Sequence, residues 1–238
     1  MHALQLSFAR LSRIPPLAPG TIEALKWLAV ALMTVDHTNL QLLHSNYPMM
    51  YAMGRVALPL FVFVLAYNLA RPETKANGAA VRVLGRLIPV ALISSLPYME
   101  LNLETFGWRP LNVLFTLAAG TAIVALIENP TRWRRIAAVL LYAGSGALVD
   151  YGWTGVGLFV CCWHLFRSPS LFWAGCTLIF LLLLGCLNHN QWALMVLPVI
   201  GLAFMCRLNV PRVRNALYYY YPLHLAAIVA LKIAIFHQ

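Results

Sequence analysis

Asp36 stands directly before His37 inside an apolar run, KWLAVALMTVDHTNL (26–40). A carboxylate beside an imidazole can orient it or raise its pKa, which is what a general base needs. Neighbouring helical positions diverge by about 100°, so Asp36 serves either His37 or another partner such as Arg55. Arg55 lies near the start of the next apolar run, GRVALPLFVFVLAYNLAR (54–71), at a depth that faces Asp36 and His37 if the two runs are joined by a tight turn. The competing reading makes it an arginine snorkelling to the surface. Pro59 in the same run predicts a bend that frees a carbonyl, as happens where a helix lines a cavity.

Four further positions belong to the same inventory. Asn112 opens one apolar run, Asp150 and Tyr151 close another, and His224 follows Tyr218-Tyr219-Tyr220-Tyr221-Pro222 in the last. His224 reads as a second proton carrier or as a helix-packing histidine. Arg71 closes the second run, where a cytosolic anion reaches it and where a topological anchor is also expected. Ionisable groups within membrane spans are costly and are functional candidates by default. The alternative for the Asp36–His37 pair is a buried polar contact that fixes helix packing.

The elements that must position these residues are membrane helices. Apolar residues make up 61% of the 238 and charged residues 10%, where soluble domains carry about a quarter charged. Mean hydropathy is +0.75. We read about nine transmembrane spans, 22–44, 50–70, 81–99, 111–127, 136–150, 152–166, 171–187, 191–206 and 216–236, in an all-α polytopic bundle. Alternate connections hold Arg71, Lys75 and Arg82, then Arg132, Arg134 and Arg135, then Arg167, then Arg207, Arg212 and Arg214. The intervening ones (HSNYP, MELNLETFGWRP, DYGW, NHNQ) hold one Arg and the acids Glu100, Glu104 and Asp150. The positive-inside rule then puts the N-terminus in the cytoplasm and the C-terminus outside.

Residues 1–20 form a separate segment before a single transmembrane domain, 21–238. It contains no signal-like apolar stretch, so no cleavage is expected. Leu4, Phe8, Leu11 and Ile14, with Arg10 and Arg13, read as a short interfacial helix closed by Pro15-Pro16, or as a disordered tail.

The net charge of +10 is spread over topological clusters rather than a basic stripe, which argues against nucleic-acid binding. The cysteines Cys161, Cys162, Cys176, Cys186 and Cys206 fit neither a disulfide framework nor a zinc site, and no metal is expected. Gly144-Ser145-Gly146 reads as a close-packing contact rather than a hydrolase nucleophile.

On EALKWLAVALMTVDH (23–37), GRVALPLFVFVLAYNLAR (54–71), NVLFTLAAG (112–120), DYGWTGVGLF (150–159) and YYYYPLHLAAIVAL (218–231), the chain resembles the TraX family of conjugative pilin-modifying proteins. The wording EALKWLAV and AYNLAR is most similar to its TrbP-like branch. The family in turn resembles the acyltransferase 3 membrane enzymes, which also carry a histidine in the first span. The resemblance implies a multi-pass protein of the bacterial inner membrane that modifies the conjugative pilin subunit, with acetyl-CoA as donor. It matches His37 to the catalytic histidine, the general base, and makes Arg71 a candidate for the coenzyme A phosphates; in the mechanism read from the residues, Asp36 or Arg55 orients His37. Asn112 joins Arg55 as an oxyanion donor, Asp150 and Tyr151 hold the pilin ammonium group, and His224 completes the substrate side. The alternatives are head-to-tail cyclisation of pilin and a non-catalytic pilin assembly factor.

Overall fold

The computed structural model describes residues 15–76, 78–102, 110–213 and 215–236. The predicted interfacial helix falls at residues 1–14, outside the described residues. Within them the fold is all-α. In chain order the helices are α1 (Pro19–Gln41), α2 (Pro48–Gly54), α3 (Ala57–Ala70), α4 (Pro72–Ala76), α5 (Ala79–Asn102), α6 (Val113–Glu128), α7 (Arg132–Gly146), α8 (Gly152–Arg167) and α9 (Leu171–Leu187). A 3-10 turn (Trp192–Met195) leads into α10 (Val196–Met205), and α11 (Ala216–Phe236) closes the chain.

Helix covers each of the nine predicted stretches, with instructive differences in the boundaries. The second run is split at Arg55–Val56, ahead of the bend expected at Pro59. Pro59 falls in the first turn of α3, where it has no N–H to give to the carbonyl four residues back, that of Arg55. The fifth run is shifted toward the N-terminus because Thr131 caps α7, its side chain accepting from the Arg134 N–H at 3.3 Å. That helix ends at Gly146, and the residues after it pair with Leu111 instead: Leu111 N donates to Leu148 O at 2.7 Å, and Asp150 N to Leu111 O at 2.8 Å.

Pro48–Ala70, Ala79–Asn102 and Ala216–Ile235 are each long and apolar enough to cross a membrane. Val113–Glu128, Leu171–Leu187 and Trp192–Met205 are apolar but shorter. In the first of the long helices 61% of the apolar window is buried, against 17% and 22% in the other two. So α3, apolar on all sides, is the centre of the bundle, packed between α1 and α8, while α5 and α11 are peripheral. On the periphery Leu92, Ile93 and Leu96 of α5 and Ile179, Leu182 and Leu183 of α9 are exposed. Water penalises such a surface and lipid favours it.

Hydrogen bonds tie alternate connections together at opposite ends. At one end Leu17 N donates to the Tyr67 hydroxyl, Thr21 to Cys206 O, and Arg167 to Ala70 O. Arg71 and Arg207 adjoin these contacts in the chain. At the other end Tyr51 donates to Asn188 O, and Leu111 pairs with the strip before Tyr151. The basic connections that hold Arg71, Arg167 and Arg207 thus belong to helix ends on the first side, and the acid Asp150 lies on the second.

Close approach of α6 and α8 depends on Gly120, where a Cβ would lie 2.4 Å from the ring of the fully buried Phe159. Gly146 similarly admits Trp153, whereas Gly144 faces open space. Gly120→Ala is expected to destabilise the protein by about 1–3 kcal/mol through overpacking. Gly144→Ala should be neutral or gain up to about 1 kcal/mol in helix propensity. Thermal unfolding of the two variants in detergent checks both.

Candidate functional site

The last third of α1 carries Asp36 and His37 on diverging faces, and the structure gives them different partners. Asp36 forms a close ion pair with Arg55, Oδ2 to Nη2. The geometry rests on Gly54: a Cβ there would lie 2.3 Å from the Asp36 Cβ, so only glycine lets the end of α2 press against α1. The break between α2 and α3 then sets Arg55 across from the carboxylate. Its Nε donates to Tyr51 O at 3.3 Å, its Cζ lies 4.3 Å from the centre of the Tyr51 ring, and its Nη1 donates to the Tyr151 hydroxyl at 3.4 Å. Asp36 is 7% exposed, and its Oδ1 has no hydrogen-bond partner among the described residues. A buried carboxylate oxygen without a donor is costly.

Tyr151 reaches Arg55 because the chain turns sharply after Asp150. Tyr151 has φ 59° and Gly152 φ 52°, both left-handed, a conformation that disfavours tyrosine. Three bonds hold the turn: Thr116 Oγ1 to Asp150 O at 2.5 Å, Tyr151 N to Asp150 Oδ1 at 3.0 Å, and the pairing of Asp150 N with Leu111. Strained backbone persists where its surroundings over-determine it in this way.

His37 pairs with His224 of α11. Its Nδ1 lies 2.8 Å from His224 Nε2, with the ring planes 6° apart. His224 Nδ1 lies 3.3 Å from the Tyr220 carbonyl. A carbonyl only accepts, so His224 Nδ1 carries the hydrogen and its Nε2 is the acceptor. His37 Nδ1 must then donate, which leaves the lone pair on His37 Nε2. Tyr220 and Tyr221 flank His224, with ring centroids at 5.3 and 5.4 Å, and the Tyr220 hydroxyl is 2.7 Å from Thr34 Oγ1.

Asn112 is placed differently from the expectation. It is fully buried and caps α6, Oδ1 accepting from Leu114 N at 3.2 Å, while Nδ2 donates to Ala91 O at 2.9 Å and to Ser95 Oγ at 3.2 Å. In this arrangement its amide clamps α6 to α5. Arg71 lies away from the histidines, in the wall of a cavity of about 690 Å³ between α1, α3, α5, α6 and α11 that ends at Tyr220 and Tyr221. Sequence reading passed over Tyr51 and Tyr220, although each is four residues before a singled-out residue and thus on the same helical face. It also passed over Lys26 and Arg86, cations inside predicted spans that line this cavity.

Removing one partner of a buried ion pair strands the other. Asp36→Ala is expected to lower stability by about 3–5 kcal/mol. Asp36→Leu combined with Arg55→Met should recover most of it, read as unfolding midpoints in one detergent.

The model of the family described as TraX protein matches residues 21–232. Protein TraX of Escherichia coli is 31% identical over 155 residues, covering 64% of this chain and 59% of the relative. Protein TraX of Escherichia coli strain K12 matches to the same extent. The chain thus spans about three fifths of the length of the curated relatives it matches. No solved structure matches it. With a helical membrane fold and a family match that runs from α1 almost to the end of α11, this chain belongs to the TraX family.

Proposed function

We propose that this protein is a multi-pass enzyme of the bacterial inner membrane that modifies the conjugative pilin subunit, transferring an acetyl group from acetyl-CoA to the pilin N-terminus. The observation that carries the reading is the His37–His224 pair, whose hydrogen bonds leave a lone pair on His37 Nε2. In the reaction the bound pilin ammonium first gives one proton to water on the outer side; the free amine then attacks the thioester carbonyl and loses its second proton to His37 Nε2. The tetrahedral intermediate collapses, the carbon–sulfur bond breaks, and the proton passes to the departing thiolate. His224 acts on His37 as a positioning residue.

The charged cluster supplies the acceptor side. Asp36 Oδ1 is open to accept a hydrogen bond, and Asp150 and Tyr151 stand beside it around Arg55, a set suited to hold a pilin ammonium group. Arg55 is the donor available to the developing oxyanion. Arg71 receives phosphate of the donor from the cytosolic side, consistent with its place in the cavity wall.

Intact-mass spectrometry of pilin from cells with and without the protein tests this. Acetylation makes pilin heavier by one acetyl group. A product lighter by one water marks head-to-tail cyclisation instead, and an unchanged mass marks a non-catalytic assembly factor. His37→Ala is expected to slow modification by about 10²–10⁴-fold. His224→Gln, which keeps an acceptor for His37, should lose less, and a His37→Ala variant that modifies pilin at the normal rate would falsify the mechanism.

A further inference from the structure

The cavity that reaches from the Arg71 end of the bundle to Tyr220 and Tyr221 has walls of two kinds. Toward the basic end its described charged lining is Lys26, Arg71, Arg86 and Arg212, against a single acid, Glu23. Deeper in, the lining is apolar, with Met33, Phe61, Leu65, Val113 and Leu117 among it. About 690 Å³ lies within the range of small-molecule sites.

Glu23 shows what the cations are suited to hold. It is 7% exposed, accepts from Lys26 Nζ at 2.5 Å and lies 3.9 Å from Arg212 Nε. One carboxylate therefore engages two cations from separate elements. Among the described residues Arg71 pairs with Glu73, 3.6 Å away and 68% exposed, a pairing worth little in water. The cavity keeps a surplus of positive charge that a neutral or cationic ligand would leave uncompensated. Three arginines and a lysine in the lining match phosphate oxygens, while the apolar depth excludes a second charge.

We propose that this cavity binds a phosphate-bearing head attached to an uncharged chain, the head among Lys26, Arg71, Arg86 and Arg212 and the chain running toward Tyr220 and Tyr221. This deepens the acyl-transfer reading and rests on it for what the chain carries at its far end. Tyr220 and Tyr221 both line the cavity and flank His224, so the end of the chain comes within one aromatic layer of the imidazole pair. Two sources offer this chemistry, a nucleotide-linked thiol of the coenzyme A type and an anionic phospholipid.

The test uses the full chain in phosphatidylcholine nanodiscs, with coenzyme A titrated by calorimetry. Saturable binding is expected, with pantetheine, which lacks the nucleotide phosphates, bound at least about tenfold more weakly. Arg86→Gln and Arg212→Glu should each weaken coenzyme A about tenfold. Arg212 is 77% exposed, so its replacement leaves folding intact even if that of Arg86 does not. If the head is a lipid, native mass spectrometry from nanodiscs containing phosphatidylglycerol will show that lipid retained by the unmodified protein and lost from both variants. The proposal is overturned if neither coenzyme A nor phosphatidylglycerol is held, or if both variants hold them as well as the parent. Coenzyme A binding together with an unchanged pilin mass supports the cavity and sinks only the transfer reading. Pilin modified at the normal rate by a parent that holds neither probe sinks only the cavity.

Discussion

An ion pair within an apolar bundle cannot tolerate being half made. Asp36 and Arg55 are each almost sealed from solvent, so the attraction between them, together with the bonds to Tyr51 and Tyr151, must offset the cost of removing both from water. That requirement propagates outward. Gly54 has to lack a side chain, the second apolar run has to break at Arg55–Val56, and the turn before α8 has to hold Tyr151 in a left-handed conformation. Each looks like an isolated oddity of local structure. Together they are the conditions for placing one guanidinium between α1 and α8.

The remainder of the fold fixes that arrangement in space. Asn112 binds α6 to α5, Thr116 binds α6 to the turn before α8, and Leu111 is paired on both sides with the strip 148–150. These contacts lie at one end of the bundle. Across from them, at the end that bears the arginines, the cavity opens between α1, α3 and α11. Both ends are therefore cross-linked by hydrogen bonds, one around a charged cluster and the other around a cavity with a surplus of basic side chains.

Much of this was legible in the residues. Apolar runs separated by alternating basic and acidic connections gave the helices and their two ends, because the bilayer permits little else. The depth of Arg55 and the divergence of adjacent helical positions made its pairing with Asp36 readable. The pairing of His37 with His224 was not, since 187 positions separate them and no local pattern reports which distant helix packs against α1. The contacts of Asn112 were hidden for a similar reason: an amide at a helix start reads equally as cap and as donor, and its neighbours on α5 are distant in the chain. Arg86 was overlooked because it was counted among residues of a span, whereas it faces a cavity.

The seating of α11 has a further consequence. Its polar links to α1 are the contacts of His224 with His37 and of Tyr220 with Thr34. Any outward swing of α11 that widened the cavity would part the two imidazoles and release His37 from its set tautomer. The tautomer of a histidine in α1 is thus only as fixed as the seating of a peripheral helix.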